Sequence, residues 1–301
     1  MVCYNSLENN TRGCEGVFMN YVIVNKLTKK TNQEDRLAAV LNLVPDEKTV
    51  LNANETDYAA LADGLEPEDA LYFAGGDGTL NYFLNQIDPD ALQNDLFFYS
   101  MGSGNDFFRD MGFHDTFVRM NPYIKNLPTV STAFYDKRYF LGAGLGLDGA
   151  TVFYSETDGK KKNKNFTRGA VKAFFCFKPY NATVVFDGES RHFEKIYLAS
   201  VMKGSCIGSG MLLAPDQNRN DPDGKLTLVV VHSKTKIGSF FALLKLLTKN
   251  TNRSDKHFFV RTGNNFEVHA DRDSYLFMDG ETCPLGKDYT VTTSVRERVN
   301  N

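Results

Sequence analysis

The sequence predicts two architectures joined end to end: a doubly wound α/β domain, then an antiparallel, β-sandwich-like domain. Three observations carry this. Up to about residue 130, short apolar runs alternate with stretches of helical periodicity, the pattern of parallel strands covered by helices. Beyond that point, β-rich runs succeed one another between Gly, Asp and Asn turns. The chain has 301 residues, which suits two modest domains.

In the first part, "YVIVN" (21–25) reads as a strand and "NQEDRLAAVLNLV" (32–44) as a helix with Asn32 as cap. "KTVLN" follows as strand, "DYAALADGL" as helix, "ALYFA" as strand, "TLNYFLNQI" as helix and "LFFYS" as strand. This order implies a parallel sheet whose ligand site lies beyond the carboxyl ends of the strands. In the second part, "RYFLGAGLG", "ATVVFDGES", "KIYLASVM", "KLTLVVVHS", "NFEVHAD", "SYLFMDGE" and "DYTVTTSV" read as strands. "RGAVKAFFCFK" (168–178) and "IGSFFALLKLLTK" (237–249) read as helices. The expected boundaries are 1–18 as a loose N-terminal extension, 19–130 as the α/β domain and 131–291 as the β-rich domain. Residues 292–301 could complete the first domain.

Hydrophobic residues make up 42% of the chain, ample for a core, and the net charge of −3 excludes general polyanion binding. Five scattered cysteines without a CxxC pair argue for reduced thiols rather than a disulfide frame or zinc site. No apolar run reaches the roughly 20 residues of a membrane span, and the polar start is not a signal peptide. The expected location is the cytoplasm, with no nucleic-acid partner and no transmembrane segment. Oligomeric state is not fixed by these features, and a homodimer is compatible with them.

Asp-Gly is first of all a turn signal, so context must decide which of its occurrences carry chemistry. "FAGGDGTLN" (73–81) lies between a strand and a helix, where Gly75, Gly76 and Gly78 admit a phosphate and Thr79 adds a hydroxyl. The next strand ends in "MGSGNDF", where Ser103 and Asn105 could donate to phosphate or ribose, or Asn105 and Asp106 could cap the following turn. Asp216, Asp221 and Asp223 crowd one loop, either as oxygen ligands for a cation or as an acidic surface. Two Asp-Gly-Glu triplets, 187–189 and 279–281, could each supply a general base or simply turn a hairpin. The basic, aromatic stretch 160–178 suits an anionic membrane surface, or equally a solvated loop entering a helix.

In order, "GGDGTLN" (75–81), "GSGNDFFRDMG" (102–112), "GLGLDGATV" (144–152), "GSGMLLAPDQNRNDPDGKLTLVVV" (208–231) and "LFMDGE" (276–281) resemble the diacylglycerol-kinase catalytic superfamily. Soluble bacterial diacylglycerol kinases and their ceramide- and sphingosine-kinase relatives belong to it. The resemblance implies an ATP- and Mg²⁺-dependent lipid kinase that phosphorylates a hydroxyl of diacylglycerol or a similar lipid in phospholipid metabolism. It would be peripheral to the membrane, with its active site in an interdomain cleft. The nucleotide set is Asn25, Gly75, Gly76, Asp77, Gly78, Thr79, Asn81, Ser103 and Asn105. Asp223 would bind Mg²⁺, linked through water to Asp77. Asp279 would be the base, with Glu281 beside it, so the resemblance selects the second triplet.

Two places depart from the family pattern. Asn25 is followed by Lys26, Leu27 and Thr28 rather than a Pro- and Gly-containing loop, and Asn81 by Tyr82 rather than Glu. The alternatives are an NAD kinase-like enzyme, which shares GGDGT but not the Gly-Asn-Asp-Phe run, and a catalytically silent lipid- or nucleotide-binding relative.

Overall fold

Alternation of apolar and helical stretches translates directly into the first sheet. The computed structural model describes residues 18–25, 33–102, 104–157, 166–208, 210–248, 251 and 256–292. Its elements begin β1 (Asn20–Val24), α1 (Gln33–Leu41), β2 (Lys48–Asn52), α2 (Tyr58–Asp63), β3 (Ala70–Gly75) and α3 (Asp77–Leu84). They continue with β4 (Asp95–Ser100), α4 (Asp106–Met111), β5 (Val118–Arg119) and α5 (Asn121–Ile124). The expected cap Asn32, the leader 1–17 and the departure at Lys26–Thr28 lie outside the described residues.

The sheet runs β2-β1-β3-β4-β5. Its first four strands are parallel, and the two-residue edge strand β5 is antiparallel to β4. Val22, Ile23, Val24, Leu71, Phe73, Leu96 and Phe98 are all buried, because helices on both faces leave a parallel strand no solvent side. Val22, Val24, Val40, Val44, Ala74 and Tyr99 pack as one apolar cluster. Elsewhere Phe83 sits 4.6 Å from Phe73 and 5.2 Å from Tyr58, ring to ring. Asp57 starts α2 by accepting from the Ala60 N–H at 3.1 Å, the usual service of an N-cap carboxylate.

By density of contact the chain forms two units, Met1–Gly102 with Phe113–Pro122 and Ser103–Gly112 with Tyr123–Asn301. The second contains α4 and continues with β6 (Thr129–Ser131), β7 (Asp136–Arg138), β8 (Gly142–Gly146), α6 (Leu147–Thr157) and α7 (Phe166–Cys176). Then come β9 (Tyr180–Phe186), β10 (Glu189–Met202), β11 (Cys206–Ile207), β12 (Met211–Leu212), β13 (Leu226–His232) and α8 (Lys236–Leu247). The last strands are β14 (Phe258–Gly263), β15 (Asn265–Met278) and β16 (Glu281–Thr292).

The large sheet is antiparallel and ordered β14-β13-β10-β8-β15-β16-β6-β7, with β9 pairing both β10 and β15. β8 and β9 thus share one lane between the two long strands. β10 passes from β9 to β8 across a register shift between Phe193 and Ile196, and β15 does the same between His269 and Ser274. Such irregularities bend a strand. They also explain why "NFEVHAD" and "SYLFMDGE" read as separate strands: the polar bend interrupts the alternation.

Helix α6 was not legible, since Asp148-Gly149 reads as a turn. Packing on α7 and β15 makes it a helix. At Gly149 an added Cβ would stand 2.6 Å from the Tyr275 carbonyl oxygen, and at Gly144 2.3 Å from that of Ala199. Gly144, Gly146 and Gly149 of "GAGLGLDG" are therefore required by close backbone approach.

Candidate active site

In the first unit the chain runs outward from β1 to β2 on one side and from β3 to β4 on the other. The reversal falls between β1 and β3, where open α/β sheets place ligands beyond the strand ends. Asn25 leaves β1 there, and Gly75-Gly76 leaves β3 there. The two ends are tied together: the Asn25 amide nitrogen Nδ2 donates to Thr79 Oγ1 at 3.1 Å, and the Asn25 N–H to the Ala74 carbonyl at 3.4 Å. β4 joins them through the Met101 N–H, which donates to the Gly75 carbonyl at 2.7 Å. A Cβ on Gly76 would meet the Gly102 Cα at 3.4 Å, so the turns after β3 and β4 lie against each other.

No side chain caps α3 at Gly76, and its first turn holds the buried Asp77. The amino end of this helix carries partial positive charge and outward N–H groups. Asn81 is buried one turn along, where the Asn85 side chain donates to its Oδ1 at 3.0 Å. Tyr82 points the other way and is 54% exposed, with its ring 6.0 Å from that of Tyr58. The departure at position 82 thus sits on the solvent side of α3. Arg36, which no local motif marks, reaches from α1 to the end of β4 and donates to the Ser100 carbonyl at 3.2 Å.

Ser103 lies outside the described residues. Asn105 stands at φ 54°, makes no capping bond to α4, and its buried Oδ1 meets no donor among the described residues. The rest of the Gly-Asn-Asp-Phe segment is an anchor within the second unit. Asp106 accepts from the Gly210 N–H at 2.6 Å, and Asp110 from the Ser205 N–H at 2.9 Å. Asp110 also holds the buried Arg219, whose Nε lies 2.8 Å from its Oδ2. Arg219 further donates to the Phe140 carbonyl and covers the Phe107 ring at 5.0 Å. These partners stand about a hundred residues apart in the chain, so no local pattern could announce them.

Both Asp-Gly-Glu triplets turn hairpins. Asp187 and Gly188 have φ of 46° and 85°, and Asp279 and Gly280 have 46° and 91°, as a turn with both central residues left-handed demands. They differ in surroundings. Asp187 is exposed and accepts from the Asn264 and Asn265 N–H groups at 3.1 and 3.2 Å. Asp279 is 1% exposed, and its carboxylate accepts from the N–H groups of Phe140, Leu141 and Gly142 at 2.7, 2.8 and 2.9 Å. Glu281 opens β16 and is exposed.

Asp223 is exposed, with its Oδ2 3.6 Å from Lys225 Nζ, while Asp221 shapes the loop by accepting from the N–H groups of Asp223 and Lys225. Among the described residues no group of three or more His, Cys, Asp or Glu side chains is arranged to hold a metal. Beneath the β8–α6 junction, Asp148 is buried. Its Oδ1 accepts from the Gly149 N–H at 2.8 Å and its Oδ2 from the Ser200 hydroxyl at 2.9 Å. Burial outweighs those bonds and pushes its carboxyl up to about 7. The same burial raises Tyr139, Tyr180 and Tyr289 well above the ordinary phenol range.

Residues 20–127 match the family described as the diacylglycerol kinase catalytic domain. Residues 145–294 match the YegS C-terminal NAD kinase beta sandwich-like domain. The Bacillus subtilis (strain 168) diacylglycerol kinase is 23% identical over 236 residues, covering 76% of each protein. A crystal structure of a diacylglycerol kinase from Bacillus anthracis strain Sterne aligns at TM-score 0.62 and 14% identity, over 92% of this chain and 94% of its own. A second structure from that organism, described as a candidate diacylglycerol kinase, aligns at TM-score 0.65 and 18% identity over 95% and 96%. At those identities the structures support the fold, and the paired domain matches support the family. The chain belongs to the diacylglycerol kinase-like family, the lipid kinases among the transferases.

Proposed function

We propose that the protein transfers the γ-phosphate of ATP to a hydroxyl of diacylglycerol or a similar lipid, with Mg²⁺, and works in contact with a membrane surface. The observation that carries this reading is the glycine turn after β3, tied through Thr79 to Asn25 at the point where the strand order reverses. There, the amino end of α3, open at Gly76, offers N–H groups and a helix dipole to the nucleotide's phosphates. Gly75, Gly76 and Gly78 let the backbone approach, and Thr79, Asn81, Ser103 and Asn105 are the polar groups proposed around it.

Phosphoryl transfer depends on positioning and charge neutralisation more than on covalent chemistry. When bound, Mg²⁺ would neutralise phosphate charge. Asp223 is the residue proposed to hold it, and one or two carboxylates with phosphate and water oxygens suit that ion. Asp77 is proposed to face the same charge. Asp279 is proposed as the base for the lipid hydroxyl, held in place by its three backbone donors before any substrate arrives, with Glu281 next to it.

The test offers purified protein radiolabelled ATP with a panel of detergent-dispersed lipids, with NAD, and with chelator in place of Mg²⁺. Labelled lipid that disappears with chelator is expected. Label in NAD instead would favour the NAD kinase-like reading, and label in neither acceptor the silent relative.

A further inference from the structure

On two helices of the second unit, the ordinary division between an apolar inner face and a polar outer face is missing. Helix α8 buries Ser239, Ala242 and Leu246 and turns Ile237, Phe240, Phe241, Leu244 and Leu247 outward, each 40–73% exposed. Those five recur three or four residues apart, so they form one stripe. On α7, Val171 and Phe175 are 56% and 69% exposed, and the Phe174 ring lies 5.9 Å from that of Phe240, which makes the helices neighbours. Twelve large apolar side chains are exposed among the described residues, and seven of them belong to this face. Single exposed apolar residues are ordinary, whereas a contiguous group marks an interaction surface.

Charge identifies the occupant. Neither helix contains an acidic residue. Arg168 and Lys172 lie on α7, Lys236 and Lys245 on α8, in a chain whose net charge is −3. Lys172 and Lys245 are only half-buried, and Arg168 and Lys236 are exposed. A second copy would have to meet this face with the same face, as two-fold contacts require, and that sets lysines against lysines. An anionic bilayer complements both features at once. We propose that the α7–α8 face docks the protein on anionic lipid, with its aromatic and aliphatic side chains at the acyl boundary and its basic groups among the headgroups. The inference rests on the lipid-kinase reading for its purpose, since it brings the enzyme to an acceptor dissolved in the bilayer.

The full chain is sedimented with vesicles of equal parts phosphatidylcholine and phosphatidylglycerol, and with phosphatidylcholine alone. Binding to the anionic vesicles that weakens with salt is expected. Phe175→Ser with Phe241→Ser should weaken it at least ~10-fold, as buried apolar area sets the strength of interfacial binding. Lys172→Glu with Lys236→Glu should weaken it ~25-fold or more, about fivefold for each basic group lost from an anionic surface. Both double variants should keep the parent's melting temperature and its rate on detergent-dispersed lipid. Variants that sediment like the parent would overturn the proposal. So would a parent that binds neither vesicle, as a protein-docking face would, or one that is a dimer the variants dissociate. Vesicle binding without phosphorylation of any lipid would sink the kinase reading and leave the docking face standing.

Discussion

Asp279→Asn is the variant a lipid-kinase mechanism invites, and its consequences extend beyond the loss of a base. The residue sits at φ 46°, a conformation that Asn tolerates as Asp does, so the hairpin turn survives. The carboxylate has no neutral equivalent. Its Oδ1 accepts from Leu141 and Gly142, its Oδ2 from Phe140. An amide retains one acceptor oxygen and turns its NH₂ towards the remaining donor. Orphaning a buried N–H costs about 1–3 kcal/mol, and losing charge assistance at the other two bonds adds about 1 kcal/mol. A total of about 2–4 kcal/mol lowers Tm by roughly 5–15 °C in a unit of this size. Calorimetry gives the first quantity. Initial rates, taken at a temperature where both proteins are folded, should show kcat reduced about 10²–10⁴-fold. A variant within about 0.5 kcal/mol of the parent would refute the claim that this carboxylate carries the 140–142 segment. One that is destabilised yet fully active per folded molecule would remove Asp279 from the chemistry.

Asp148 makes stability fall as pH rises. Its folded-state carboxyl stands at about 7 against an ordinary 3.8, so between these values the unfolded chain ionises first and is favoured, by about 4 kcal/mol in all. Asp148→Asn does not titrate, so its stability relative to the parent should rise by about 3 kcal/mol between pH 5 and pH 8, read from urea unfolding. Parallel profiles for the two proteins would contradict the assignment. Thr79→Val keeps the branched shape but removes the hydroxyl that accepts from Asn25. Losing that bond should lower Tm by a few degrees, about 1 kcal/mol, and losing the hydroxyl's own bond to phosphate should raise the KM for ATP roughly tenfold; an unchanged KM would take Thr79 out of the nucleotide site. Gly144→Ala puts a methyl 2.3 Å from both the Ala199 carbonyl oxygen and the Ser200 hydroxyl. Destabilisation of about 3 kcal/mol or more is expected, and a soluble variant with parental Tm would show that β8 and β10 can separate.

The sequence determined the parallel sheet, the glycine turns and their order, and the two-part plan, because these follow from periodicities of a few residues. Strands buried on both faces must be continuously apolar, and "ALYFA" and "LFFYS" are. A two-residue hairpin turn with both residues left-handed favours Asp-Gly, and 187–188 and 279–280 carry it. The residue types of the two Asp-Gly-Glu triplets could not separate them, since both make the same turn, and the choice of the second rests on the resemblance alone. Only the fold brings the 140–142 backbone onto Asp279 and leaves Asp187 in solvent. Nor could the sequence find Arg219 on Asp110, Asp148 under Ser200, or helix α6, whose form comes from packing against α7 and β15. The apolar spacing of α8 was legible, but which face stays outside was not. A helix pattern states that residues share a stripe, while burial depends on neighbours that arrive from distant parts of the chain.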